Sequence, residues 1–415
     1  MASHSSPDVV VIGGGAIGIC TAYELAQAGA SVTVVERNTG IGLGCSFGNA
    51  GQIRTDHLLP LATPGAVAQG LRSMFDPNGS FALRPRPAIL PWLTRFVLAA
   101  RPDQVHDHQT VLRGLGSLSR SVLNDYVDRG IDIGIHRTGV MDLFESDANF
   151  AAGRRKAIQD NAEGRPNQAV SADEVKKSLP ALQTEVAGGV VYSNEWFCDP
   201  HKLTSAVGDA AAKCGVSIRT GVEVHAIHAS DRRVDRIETS AGSLACGAVV
   251  LAAGVWSTRL AKPLRIALPV ESGKGYHVEF ARAQGDPELP FIMNEAHVAV
   301  TPLPGGLRFT GTLELSGIDE SISERRIGMI RAVADRLFGQ SARAEVTRVW
   351  AGLRPCSPDG LPILGRTRRF DNLYIATGHG QQGIVLAAGS GRALTQSIME
   401  REPSIPIQPM SPNRF

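Results

Sequence analysis

Residues Val9–Glu36 read VVVIGGGAIGICTAYELAQAGASVTVVE, and this stretch decides how the 415-residue chain is to be read. Four β-branched residues, Val9 to Ile12, run directly into Gly13-Gly14-Gly15-Ala16-Ile17-Gly18. Helix-forming residues from Cys20 to Ala28 follow, and Gly29 stops them. A second apolar run, Val32–Val35, ends at the acidic Glu36. The pattern is a strand–turn–helix–strand unit with G-x-G-x-x-G at its first turn. Gly13 permits the tight turn, Gly15 lets the backbone approach a pyrophosphate, and Gly18 lets helix and strand pack closely. Free amides at the helix start, at the positive end of its dipole, suit phosphate. Glu36 lies 18 residues beyond Gly18, where a carboxylate can accept ribose hydroxyls. The competing reading is a glycine-rich loop in some other βα unit. Against it, the strand before, the helix after and the terminal acid agree, and an adenine dinucleotide is the expected ligand.

The length allows two or three domain-sized cores. Apolar content of 43% and charged content of 20% suit a soluble globular protein, and a net charge of +2 gives no reason to expect nucleic acid. The six cysteines include no C-x-x-C pair, which fits reduced thiols better than disulfides or a zinc site. The polar leader Met1–Asp8 lacks a basic n-region, so no signal peptide is expected. No window reaches ~20 apolar residues free of charge or clustered glycine, so no membrane span is expected either. The scattered cysteines suit a cytoplasmic compartment, which is the expected location.

After Glu36, the polar glycine-rich link Arg37–Gly51 is too irregular for helix or strand; it wraps a cofactor or is a surface loop. Leu58–Arg101 is rich in proline and large apolar residues, with Trp92, Phe96 and Val97 on one face of a helix starting near Pro91. That segment packs over a substrate domain, or it offers an apolar surface to a membrane or an electron-accepting partner. The second reading leaves peripheral contact at the inner face of the cell membrane open. His106 and His108 fall in a polar stretch expected to be a solvated turn. Ser171 and Glu174 form a capping-box pattern, and Asp199-Pro200 opens a helix that Gly215 ends. Strand-like runs include Val216–Arg219, Val222–Ile227, Ala248–Gly254, Leu268–Phe280, Ala296–Leu315, Val346–Gly352, Leu361–Leu364 and Leu373–Ala376, with a helix over Ser323–Phe338.

No G-x-S-x-G or H-E-x-x-H occurs, the histidines are dispersed, and no metal site is expected. His225 and His228 fall on opposite faces of a strand. A second glycine-rich turn, Gly378–Gly383 (GHGQQG), opens a helix whose positive end can face a group that becomes anionic in reaction. Upstream, Arg354 stands between apolar Leu353 and Pro355; a guanidinium suits bidentate carboxylate binding, and a surface salt bridge is the plainer use.

Taken together, GGGAIG…E, SFGNAGQI, DPHKLTSAV, VVLAAGVWS, SGKGYHV, GLRPCSPDGLPILG and NLYIATGHGQQG run from Val9 to near Arg392. As a set in this order they resemble the D-amino-acid oxidase/glycine oxidase family of FAD-dependent oxidoreductases, and within it the bacterial D-amino-acid dehydrogenase small subunits. The resemblance implies an α/β fold: a doubly wound Rossmann-like FAD domain with an interleaved α+β substrate domain on a mixed, largely antiparallel sheet. The expected segments are 1–57, 199–262 and 345–400 for FAD, 58–198 and 263–344 for substrate, and 401–415 as a tail. Gly13, Gly15, Ala16, Ile17 and Gly18 would hold the pyrophosphate, and Glu36 the ribose, with Arg37 beside it. Ser46, Asn49, Ala50, Gly51 and Gln52 would run along pyrophosphate and flavin. Val224 would meet the adenine, and Ala253 and Gly254 would form a second dinucleotide contact. Gly378, His379, Gly380, Gln381, Gln382, Gly383 and Ile384 would meet the flavin. Arg354 and Tyr276 would bind the substrate carboxylate.

Two departures stand out. Glycine oxidase carries an arginine at the position of Gln381. The cysteine that bonds flavin in sarcosine oxidases corresponds to Gly352 rather than to Cys356, so FAD is expected to be non-covalent. The implied reaction is transfer of the Cα hydrogen of a D-amino acid to flavin N5 as hydride, giving an imino acid that water hydrolyses to the 2-oxo acid. The electrons would pass to a quinone or another carrier. The alternatives are an oxidase or dehydrogenase of a secondary amine (D-proline or hydroxyproline, sarcosine) or of glycine, an FAD subunit of a larger amine-dehydrogenase complex, and a nicotinamide-only dehydrogenase, against which the second glycine turn argues.

Overall fold

Val9–Ile12 is buried along its whole length because both faces of the strand are covered. Val9 and Val11 join one apolar cluster, Val10 and Ile12 another on the opposite side, as a side-chain period of two requires. Each such side chain contributes about 1.5–3 kcal/mol on leaving water. The computed structural model describes residues 8–73, 79–339 and 345–415. Expectations that touch residues 1–7, 74–78 and 340–344 lie outside these described residues.

Around that strand the described sheet has the order Ser217–Arg219, Val32–Val35, Val9–Ile12, Ala248–Leu251, Leu373–Thr377 and Ile363–Arg366. All neighbours are parallel except the last pair. Helices Ala16–Gln27, Pro200–Lys213 and Gly383–Ile398 cover one face. An antiparallel meander, Val224–Ser230, Arg233–Thr239 and Gly242–Ala245, covers the other through Ile227, Val234 and Ile237. At Gly18 a Cβ would stand 1.9 Å from the Gly13 carbonyl oxygen, so only glycine lets this helix sit on its strand. Asp199 caps its helix by accepting from His201 N (2.8 Å) and Lys202 N (3.4 Å), and Ser171 and Glu174 form the full capping box.

A second, larger sheet runs Val346–Cys356, Glu271–Phe280, Gly306–Leu315, Val298–Leu303, Phe291–Met293, Val140–Phe144, Gly188–Tyr192 and Gln168–Ser171. It is mostly antiparallel; Phe291–Met293 with Val140–Phe144, and the edge strand Phe81–Leu83 with Gly306–Leu315, are parallel. Helix Glu324–Phe338 seals one face with Ile327, Ile330 and Leu337. The two sheets make an α/β fold with a mixed, largely antiparallel second layer. A short ladder, Gln52–Ile53, Trp196–Cys198 and Ile135–His136, joins them.

Some segments differ from expectation. Val346–Cys356, read with the nucleotide-binding segments, pairs along its length with Glu271–Phe280 in the large sheet. His106 and His108 are not in a turn. They sit on the helix Pro102–Asp128, which Pro102 opens and whose first turn carries Asp103. That helix packs on Gly383–Ile398 through Leu112, Leu115 and Leu123, although it comes from a segment read as substrate domain.

Candidate active site

Two cavities meet where the sheets meet. The first, of about 360 Å³, lies over the C-terminal ends of the parallel strands. Gly13, Gly15, Ala16 and Ile17 line it from the first turn, Glu36 and Arg37 from the end of the second strand, and Ser46 and Asn49 from the link. Val224, Ala253 and Gly254 line its far side, and His379, Gly380, Gly383 and Ile384 close it from the second glycine turn. Added Cβ atoms at Gly254 and Gly380 would meet nothing within 4 Å, and at Gly15 only Ser46 Oγ, at 3.4 Å. Bare backbone therefore faces the cavity from three turns, which fits a ligand that must approach closely. Gly13 has φ +112°, and a Cβ there would lie 2.5 Å from the Ala252 carbonyl oxygen.

The irregular link is ordered by specific bonds. Ser46 Oγ accepts from Ala16 N (3.0 Å), and Gly42 N donates to the Gly14 carbonyl (2.8 Å). Glu36 Oε2 accepts from Gly14 N (2.6 Å) and Oε1 from Asn38 N (2.8 Å), so the carboxylate is fixed at the cavity wall. Asn49 Nδ2 donates to the Gln381 carbonyl (3.0 Å) while its Oδ1 accepts from Gly51 N (2.8 Å), tying the link to the second glycine turn. The buried Arg308 donates from Nη1 to the carbonyls of Phe47 (3.0 Å) and Asn49 (2.7 Å) and from Nη2 to Glu279 (2.6 Å). The guanidinium of Arg37 lies 3.6 Å from the centre of the Trp256 ring.

The remaining residues assigned to the cofactor divide. Ala50, Gln52, Gln381 and Gln382 line the second cavity. Gly18 and Gly51 line neither of the two. Gly18 seats the helix, and a Cβ at Gly51 would lie 2.1 Å from the Cys198 carbonyl oxygen. Gly378, at φ +79°, borders a small recess that it shares with Arg354. Cys45, Trp256 and His225 also line the first cavity and were not singled out as ligand contacts. Trp256 lies in the quoted run VVLAAGVWS, so its signal was present.

The second cavity, of about 620 Å³, continues from Asn49, which lines both. Arg354 enters it from the strand Val346–Cys356, whose neighbours Leu353 and Pro355 face the first cavity instead. The guanidinium lies over Gly275; a Cβ there would stand 2.1 Å from Nη2. Its Nη1 donates to the Thr312 carbonyl (2.8 Å). Among the described residues no carboxylate pairs with it. Burial lowers its pKa, and the thiols that act against this, Cys45 and Cys356, are themselves pushed up by burial to about 11 and about 12 and so stay neutral. Arginine nevertheless remains protonated, leaving a cation held half out of water without a counter-ion.

Tyr276 does not stand where the resemblance implies. Its side chain joins the apolar cluster under helix Glu324–Phe338, fully buried, and lines neither cavity. The hydroxyl donates to Glu314 Oε2 (3.2 Å). Strand alternation puts Gly275 and Tyr276 on opposite faces, so the tyrosine does not join Arg354. The cavity holds instead Thr310, Thr312, Gln52, Arg54, His57 and His297, whose approach depends on long-range strand register.

The glycine turns and the two adjoining cavities make a place suited to a dinucleotide, beside a cavity that one unpaired guanidinium enters. The model for the family described as DAO, FAD dependent oxidoreductase, matches residues 8–397, and the chain belongs to that family. It is 32% identical over 416 residues to a D-amino acid dehydrogenase of Cereibacter sphaeroides, covering 98% of this chain and 95% of that one. It is 33% identical over 419 residues to a D-amino acid dehydrogenase of Methylobacterium radiotolerans, covering 98% and 99%. Among solved structures, L-proline dehydrogenase from P. horikoshii superposes with a TM-score of 0.78 at 20% identity, covering 99% of this chain and 98% of that one. Glycine oxidase from Geobacillus kaustophilus superposes at 0.77 with 23% identity, covering 99% and 100%. FAD is therefore the cofactor, and the glycine-lined first cavity fits it. No described helix is long and apolar enough to cross a membrane.

Proposed function

We propose that this chain is a dehydrogenase that oxidatively deaminates a D-amino acid and passes the electrons to a carrier other than oxygen, such as a quinone. The observation that carries the reading is Arg354, a guanidinium facing the substrate cavity with no acidic partner among the described residues. Bound FAD supplies the two-electron acceptor for the Cα hydrogen. The protein's own part is to bind and orient. Arg354 takes the carboxylate. Gln52, whose Nε2 is spent on the Phe291 and Val300 carbonyls (3.3 and 3.4 Å), leaves Oε1 without a partner to accept from the substrate amine. No buried acid–base pair is required, because the amine only has to reach the site neutral. Water hydrolyses the released imino acid to the 2-oxo acid.

Non-covalent FAD is supported by Gly352 and Cys356. A side chain at 352 would meet the Trp350 ring at 1.9 Å, and Cys356 does not line the first cavity. Contact with a membrane or a carrier is supported by Leu90, Val97 and Leu98, exposed on the helix Leu90–Ala99, with Val97 also lining the substrate cavity. The test of the reaction is anaerobic mixing of the holoenzyme with D- and L-amino acids, glycine, sarcosine and both prolines. Flavin bleaching by D-amino acids, with slow recovery in air, is expected. Bleaching only by L-amino acids or secondary amines, or rapid peroxide-forming recovery, contradicts the reading.

A further inference from the structure

Away from Arg354 the second cavity changes character. Its outer wall is Phe81, Trp92, Phe96, Leu313 and Leu315. The Trp92 and Phe96 rings stack at 5.0 Å between centroids with planes 15° apart. Trp92 Nε1 donates to the Cys356 carbonyl (3.0 Å), and Cys356 lies two residues beyond Arg354 on the same strand. One strand therefore sets the spacing between the cation and the aromatic wall.

Among the described residues no aspartate or glutamate lines this cavity. Its other strong cation is already paired: Arg54 Nη1 and Nη2 donate to Asp142 at 2.7 and 3.2 Å. His57 lies against Glu195, its Nδ1 at 2.8 Å, and burial biases His297 toward its neutral form. A basic side chain entering here would lose water without gaining a carboxylate, and an acidic one would meet a guanidinium already neutralised. An apolar side chain loses only unfavourable hydration, and gains more the larger it is.

We propose that the site selects carboxylates bearing a bulky, uncharged, apolar side chain, with Arg354 holding the carboxylate and the Trp92–Phe96 wall holding the side chain. This rests on the carboxylate-anchor reading above and narrows it to D-amino acids of the phenylalanine, leucine and methionine type.

The test uses the FAD-loaded protein and two readouts. The first is carboxylate binding, followed by the change in the visible flavin spectrum, with acetate, 4-methylpentanoate, phenylacetate, glutarate and 6-aminohexanoate. Phenylacetate and 4-methylpentanoate are expected to bind at least about tenfold more tightly than acetate, and the two ligands that carry a second charged group no more tightly than acetate. The second is anaerobic flavin reduction, where D-Phe and D-Leu are expected to exceed D-Ala, D-Glu and D-Lys at least about tenfold in kcat/KM. Narrowing the cavity with Val67→Trp, on the partly exposed helix Pro64–Ser73, should reduce the phenylacetate-to-acetate preference at least about fivefold. Acetate binding as tightly as phenylacetate, or glutarate or 6-aminohexanoate binding best, overturns the proposal whether or not the variant folds. Tight binding of bulky carboxylates without bleaching by any D-amino acid supports the side-chain pocket and overturns the D-amino-acid reaction.

Discussion

The Arg354 guanidinium is held by the carbonyl of Thr312, at 2.8 Å, and Thr312 is a β-branched residue in the left-handed region, with φ +62°. The strand register explains the pairing. Lys274 faces Glu314 and Tyr276 faces Gly311, so Thr312 and Leu313 together oppose the single residue Gly275. That bulge interrupts regular pairing where the guanidinium needs an acceptor. Strain of this kind is kept where surrounding structure enforces it.

If the carbonyl rather than the side chain is what matters, Thr312→Gly relieves a left-handed penalty of about 1–2 kcal/mol and leaves Arg354 anchored. The variant should melt at or above the wild-type temperature and keep kcat/KM within about threefold. A lower melting temperature together with a large loss of kcat/KM would assign the anchoring to the hydroxyl instead.

The first cavity was legible in the sequence because its parts are local. Gly13 to Gly18 and the turn Gly378–Gly383 are each one contiguous run, and Glu36 ends the strand that follows the first helix. In the second, Arg354 and the apolar segment that brings Trp92, Phe96 and Val97 were legible, and the polar residues between them were not. Tyr276 points away from Arg354 because one step along a strand changes the face, and a bulge on the neighbouring strand cannot be read from periodicity. Gln52 was read as a cofactor contact; its role depends on carbonyls more than 200 residues distant. Arg308, which ties down the Phe47–Asn49 segment, carries no local signal at all. His106 and His108 were read as a turn because polar residues dominate there, although Pro102 and Asp103 mark a helix start.

Gln52→Leu removes the free Oε1 and also the donor to Phe291 and Val300. A neutral hydrogen bond contributes about 0.5–1.5 kcal/mol, so kcat/KM should fall roughly 3- to 10-fold while FAD content stays at wild-type level. Loss of FAD instead would return Gln52 to the cofactor side.

His379 gives a pH signature. Burial pushes its pKa down to about 3, with Nε2 3.0 Å from Ser390 Oγ and Nδ1 without a partner. Above the unfolded value of about 6.5 both states are neutral and the group has no effect on stability. Below it the unfolded chain takes up a proton that the folded chain refuses, so stability falls as pH drops from about 6.5 toward 3. His379→Gln should move the acid-unfolding midpoint to lower pH; an unchanged midpoint would mean that other groups govern acid unfolding.

Acid precipitation tests cofactor attachment. Cys45, the thiol lining the first cavity, is pushed up by burial to about 11 and is a poor nucleophile at neutral pH. The supernatant should be yellow and the pellet white. A yellow pellet would show a covalent flavin.

Stopped-flow reduction of the wild type and Arg354→Ala side by side, without oxygen, bears most directly on the assignment. Wild-type flavin should bleach with D-Phe. Arg354→Ala should retain its full FAD complement and lose about 10²–10⁴-fold in kcat/KM, the cost of removing one partner of a buried charge pair. Bleaching of the variant at the wild-type rate and the same substrate concentration would contradict the carboxylate site and the proposed reaction with it.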